Sequence, residues 1–230
     1  MLPRMTALAD PRPVFERYET LAREADAVFA RVKSEFPGCV TCGEGCDDCC
    51  HALFDLTLVE AAYLNDAFLR VFPPGAARSA VLELAHAADR QAHALKRKAF
   101  KASQAGQDVD AVLEDMAKQR VRCPLLGDDG RCVMYELRPV TCRVYGVPTA
   151  IAGKGRVCGK SAFEKGKPYP TVNLDRMHEK LLGLSRDFAA RMRSGFSDIH
   201  TVLVPVSMAL VTVYDAAYYG IGRKGERENG

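Results

Sequence analysis

Residues 39–50 read CVTCGEGCDDCC and place five thiols within twelve positions. Packing alone does not account for that density, because isolated buried cysteines act as small hydrophobes and do not cluster. The sulfurs must meet one another, meet a shared ion, or act as nucleophiles. The redox compartment decides among these. The opening residues, MLPRMTALADPRPVFERYE, lack the apolar stretch of a secretory signal. The longest apolar run, VLVPVSMALVTVY at 202–214, is interrupted by Pro205, Ser207 and Thr212. It falls short of the ~20 apolar residues that cross a bilayer and reads as a buried helix. A cytoplasmic chain without a membrane segment is therefore expected, and in a reducing cytosol clustered cysteines bind metal or catalyse. The chain has nine cysteines: Cys39, Cys42, Cys46, Cys49, Cys50, Cys123, Cys132, Cys142 and Cys158. An odd total suits a disulfide framework poorly.

The rest of the sequence supplies a mainly α body. Its 230 residues bury a core without staples, so one helical domain over 1–220 is expected, followed by a polar, Gly-rich disordered tail at 221–230. Apolar residues recur at three- and four-residue intervals over 14–36, through Val14, Tyr18, Leu21, Ala25, Val28, Phe29 and Val32. Pro37 and Gly38 close that helix. Further helices are predicted over 58–72, 76–105, 109–120, 174–193 and 206–219. The cysteine loops, 38–52 and 121–160, interrupt this body, and a short β-hairpin is expected at 123–135. A net charge of +3, from 32 basic and 29 acidic residues, points to neither nucleic acid nor a membrane surface as partner. No motif identifies a protein partner.

Two cysteines three residues apart in a turn can aim both sulfurs at one ion, which is why the C-x-x-C spacing recurs in zinc and iron–sulfur sites. Cys39/Cys42 and Cys46/Cys49 both have it, and Gly43 and Gly45 let the backbone between them fold tightly. The adjacent pair Cys49–Cys50 is different. Neighbouring side chains are expected to diverge, so the pair calls for two metals, a multinuclear cluster, or one thiol that is not a ligand. The turn Gly127-Asp-Asp-Gly130 brings Cys123 and Cys132 together, and Cys142 follows a short helical turn ended by Arg138-Pro139. Thiolates around a metal carry negative charge whose burial needs compensation. Arg138 and Arg143 are expected to supply it, and Lys154, Arg156 and Lys160 to do the same around Cys158.

This pattern resembles the YkgJ-type cysteine-cluster proteins, described as zinc- or iron-chelating domains. The shared residues are Gly45-Cys46-Asp47-Asp48-Cys49-Cys50, Cys123-Pro124-Leu125, Gly130-Arg131-Cys132, Tyr135-Glu136-Leu137-Arg138-Pro139 and Cys142-Arg143-Val144-Tyr145. The likeness covers about half the chain, 46–158. It implies a core ligand set of Cys46, Cys49, Cys50, Cys123, Cys132 and Cys142, which Cys39, Cys42 and Cys158 extend. The cluster is also similar to that of flagellin lysine N-methylases, which use S-adenosylmethionine. This chain is shorter and has no Gly-rich strand–helix turn for that cofactor, so the activity is not carried over.

Other motifs read more plainly. Cys42, Cys46 and Cys49 also spell C-x-x-x-C-x-x-C, the radical S-adenosylmethionine spacing, but Asp48 stands where an aromatic residue is common and the chain is helical rather than an α/β barrel. His51 is a candidate ligand, more often a helix-start or loop histidine. His86 and His93 read as a solvated face, and His178 and His200 have no evident partner. Lys96, Arg97, Lys98 and Lys101 read as solvated surface. Glu60 and Glu136 would orient ligands or stand on the surface. No catalytic triad, phosphate loop or nucleotide fingerprint is present, so enzyme status stays open. The expected function is a metal-binding cysteine-cluster protein, an iron–sulfur or zinc centre of redox or transfer role, with a zinc-stabilised interaction module as the alternative.

Overall fold

The computed structural model describes residues 8–43, 45–164 and 166–221. Seven helices carry the described chain: α1 (Arg12–Glu35), α2 (Leu58–Val71), α3 (Ala76–Gln104), α4 (Val109–Lys118), α5 (Val140–Val144), α6 (Leu174–Arg191) and α7 (Val206–Val211). Five short strands accompany them: β1 (Asp55–Thr57), β2 (Thr149–Ile151), β3 (Lys154–Arg156), β4 (Val172–Asn173) and β5 (Leu203–Pro205). The mainly α expectation holds. Among the described residues, no helix is long and apolar enough to cross a membrane.

The central element is α2, whose sequence LVEAAYLNDAFL is apolar on nearly every side. A helix of that kind must be covered all round, and ten of its residues are buried. One face, Leu58, Val59, Ala62 and Tyr63, joins α1 and α6 in a first core with Phe15, Tyr18, Leu181 and Phe188. The opposite face, Leu64, Ala67 and Phe68, joins Ala85 of α3 and Ala209 and Leu210 of α7 in a second. Each fully buried Leu or Phe contributes ~2 kcal/mol, so the two cores fix where α2 begins. That start is also capped: Thr57 N–H donates to the Glu60 carboxylate at 3.1 Å, closing a capping box.

Strand β1 pairs antiparallel with β5, Leu56 opposite Val204. β2 pairs antiparallel with β3 and parallel with β4. β1, β4 and β5 each end at the residue just before a helix, so these pairings set helix starts rather than build a sheet. They were not expected, because two or three residues carry no alternation to read.

Five predicted helices lie within two residues of their expected bounds. The sixth does not. Residues 206–219 were expected as one helix, and 202–214 as a buried helical run, yet the segment is strand β5, the short α7, and then a non-helical passage. Asn65 explains the stop. Its buried amide Nδ2 donates to the carbonyls of Ala209 (2.9 Å), Leu210 (3.3 Å) and Thr212 (3.1 Å), taking acceptors that a continuing helix would use. Val28 is another departure, exposed on α1 rather than part of its buried stripe. Of the tail expected as disordered, Ile221 packs against the first core and donates its N–H to Ala216 at 2.8 Å; residues 222–230 lie outside the described residues.

Replacing Asn65 with Ala leaves three carbonyls, two of them in buried contacts, without their donor. The expected loss is about 2 kcal/mol, read from urea denaturation with an unchanged slope. A midpoint equal to that of the parent protein would mean that α7 ends for another reason.

Candidate metal centre

The first cysteine segment leaves α1 at Pro37 and turns toward a single 3-10 turn, Asp48–His51. From there residues 50–52 run beside 120–123. Cys123 N–H donates to the Cys50 carbonyl at 2.7 Å and Val121 N–H to the His51 carbonyl at 3.1 Å, and Ala52 bridges Arg120. A second seam joins residues 39–41 to 160–162, where Ala162 N–H donates to the Cys39 carbonyl at 2.9 Å and Thr41 Oγ1 to the Lys160 carbonyl at 2.7 Å. The two cysteine segments are thus sewn together through backbone.

The second segment is anchored from below. Leu125 and Met134 are buried in the second core, and Val140 and Val144 in the first. Between them, Gly127 N–H meets the Arg131 carbonyl at 2.8 Å and Leu126 bridges Cys132, the small hairpin expected there. Residues Tyr135–Leu137 form one 3-10 turn, also as expected. Pro139 then opens α5, and Glu60 reaches its first amide: Oε1 accepts from Val140 N–H at 3.2 Å. Glu60 is not a surface acid. It is 3% exposed, burial raises its pKa, and it ties the start of α2 to the helix that carries Cys142.

A cavity of roughly 520 Å³ opens where the segments meet, and Cys42, Cys46, Cys49, Cys50, Cys123, Cys132 and Cys142 line it. The thiols fall into groups. In one, burial and then the charge of Cys49, Cys123 and Cys132 raise Cys142 well above the usual thiol range. Burial pushes Cys123 up to about 12, with Cys132 and Cys49 adding to it, and burial likewise raises Cys132. Cys49 is the exception, lowered to about 7 because the Cys50 thiol stabilises its thiolate; Cys50 is raised in return. The expectation that Cys49 and Cys50 diverge is therefore corrected. A 3-10 turn advances about 120° per residue, against about 180° in a strand, and both thiols reach one cavity.

A second group gathers at the other end. Burial and then the Cys46 and Cys158 charges push Cys42 up to about 11. The Cys158 thiol donates to Asp48 Oδ2 at 3.3 Å, and Tyr145 OH donates to the same oxygen at 3.0 Å. Arg120 reaches Asp48 Oδ1 at 3.1 Å. Burial alone would raise Asp48, but these donors and the Arg120 and Lys160 charges outweigh it and hold its pKa below the usual range. Cys158 is raised by burial. Cys39 joins neither group; it packs beside Phe36 against the first core.

The cations do not all go where charge compensation would send them. Arg138 does: its charge favours the Cys49, Cys132 and Cys142 thiolates, and its guanidinium lies 3.7 Å above the Tyr135 ring. Its buried Nε–H has no acceptor. Arg143 also lines the cavity, but its guanidinium is engaged elsewhere. It pairs with Asp26 of α1 and donates to the Arg138 carbonyl at 2.8 Å and to that of Glu136, so it braces the loop. Lys154 is taken by Asp110 at 2.8 Å and Arg156 is exposed; only Lys160 stays at Cys158, through its backbone N–H at 3.4 Å. Lys96 is more than solvated surface, since it reaches Asp55 at 2.6 Å and lines the cavity. His51 contacts Asp47 and does not line the cavity. Glu136 is exposed. Glu60 had a legible signal in the Thr-x-x-Glu capping pattern and Tyr145 stood in the shared motif; Asp26 had none.

Among the described residues, no three or more His, Cys, Asp or Glu side chains stand grouped as they would around a bound metal ion. The donor chemistry nonetheless suits one, with soft sulfur donors lining the cavity and the unpartnered Arg138 N–H on the same lining. Comparison of the chain with family models, curated proteins and solved structures finds no match.

Gly146 follows the Tyr145 carbonyl that Cys42 approaches at 3.6 Å. Its φ is +98°, and a Cβ there would lie 2.1 Å from Cys42 Sγ. Gly146→Ala is expected to cost about 2 kcal/mol from backbone strain and to turn the Cys42 thiol away. Thermal unfolding and the alkylation rate of Cys42 check this; neither would change if the approach were loose.

Proposed function

We propose that this chain is a metal-binding cysteine-cluster protein, and that its cavity holds an iron–sulfur cluster serving a redox or transfer role. One observation carries the reading: seven cysteines from two segments far apart in sequence line a single cavity. Cys49, Cys123, Cys132 and Cys142, which act on one another electrostatically, are the four thiols best suited to hold the cluster. The likeness to YkgJ-type sequences implies these four together with Cys46 and Cys50. When bound, such a cluster supplies one-electron chemistry. The protein's own part is to hold the thiols: Glu60 fixes the start of α5, Arg143 ties the loop to Asp26, and Arg138 offsets thiolate charge.

A zinc centre that stabilises the fold is the second reading, favoured by the fact that four mutually coupled thiols also satisfy a closed Cys₄ site. The cavity volume favours the cluster, since a single ion would leave most of it unused.

Anaerobic purification followed by metal and sulfide analysis tests both. The expected product is brown, absorbs broadly near the violet, and contains iron with acid-labile sulfide. Cys132→Ala is expected to lose the metal and unfold more readily, whereas Cys39→Ser keeps full metal content because Cys39 lies away from the cavity. Colourless protein with stoichiometric zinc would select the second reading. Protein that binds neither metal would end both.

A further inference from the structure

We infer that the thiol-lined cavity also binds an organic carboxylate with an apolar body, held beside the metal. This deepens the metal reading of the same cavity and rests on it. The volume comes first, because a cavity of roughly 520 Å³ exceeds what one ion or cluster fills and is in the range of small-ligand sites. The lining also has an apolar part. Leu53, Phe54 and Val206 contribute to it, and Ala88 and Ala92 face it from successive turns of α3. Two alanines in register leave open space that larger side chains would fill.

Charge selects the ligand's sign. Four thiolates about Zn²⁺, or about a doubly charged cluster core, leave a net charge of −2. Arg138 acts on Cys49, Cys132 and Cys142, and Arg122 acts on Cys123, so two cations already answer that charge. Lys33 remains. It lines the cavity, its Nζ donates to the Cys42 carbonyl at 3.0 Å, and among the described residues it has no carboxylate partner. Among the described residues, Asp55 is the one carboxylate on the lining, and Lys96 takes it.

Hydrogen bonding selects the head group. Arg138 Nε–H is buried without an acceptor, and such a donor accepts a carboxylate oxygen well. Asp26 serves Arg143 and lies 3.6 Å from Arg138 as well, so one acid meets two guanidiniums. A carboxylate at Arg138, with Lys33 adding positive charge elsewhere on the lining and the apolar body against Ala88 and Ala92, answers the donor, the charge and the volume together.

Calorimetric titration with octanoate, octanol and acetate tests this, on the anaerobically purified protein and on the same protein after chelation. Octanoate is expected to bind at least tenfold tighter than octanol or acetate. Ala92→Phe should weaken octanoate at least tenfold with metal content unchanged, and Lys33→Gln should remove the preference over octanol. If Ala92→Phe fails to fold, Ala88→Val gives the same readout. Octanoate binding no tighter than octanol, or unaffected by filling the alanine wall, would overturn the inference. Protein that keeps its metal but ignores octanoate refutes the carboxylate site alone; protein that binds octanoate but never metal refutes the metal reading alone.

Discussion

The short antiparallel seam between residues 50–52 and 120–123 decides the architecture. It closes a loop of about seventy residues that contains α2, α3 and α4, at an entropic cost of roughly 4 kcal/mol. The Cys50–Cys123 hydrogen bond contributes only ~1 kcal/mol net, so it cannot hold the loop closed alone. The balance comes from packing below it. Leu125 and Met134 are buried on one side of α2, and Val140 and Val144 on the other. The second cysteine segment therefore straddles both cores, and the two cysteine segments line one cavity because the hydrophobic residues between them are already placed.

That arrangement collects thiols in a partly buried space, where their charges oppose one another. The structure answers with positive charge at one point and rigidity at others. Arg138 faces the thiols, while Arg143, 8% exposed, is spent on Asp26 and backbone carbonyls. Glu60 bonds to Thr57 and Val140. A buried arginine and a buried glutamate are each costly unless well partnered. Both have partners here, and both fix the segment that carries Cys142. The cluster end at Asp48 works differently, gathering Tyr145, Arg120 and Cys158 around one carboxylate.

Much of this was legible in the residues. Long helices such as α1 and α6 carry an apolar period over many turns, and proline or glycine marks their ends. The thiol spacing showed which segments matter, and the Gly127–Gly130 turn showed how one of them folds. What stayed hidden was set by single tertiary contacts. Asn65 ends α7 from across the second core, and no local pattern reports that. Arg143 looked like a counter-charge because it follows Cys142, but Asp26 on α1 claims it. Cys49 and Cys50 were expected to diverge as neighbours, yet the 3-10 turn that carries them lets both line one cavity. The strands were too short to show a period at all.

X-ray absorption at the metal edge of anaerobically purified protein tests the central claim most directly. A first shell made of sulfur, at ~2.3 Å for iron or zinc, is the expected result, with an added metal–metal distance if a cluster is present. A first shell of nitrogen and oxygen alone would contradict the account, because the metal would then sit away from the cysteines that the fold brings together.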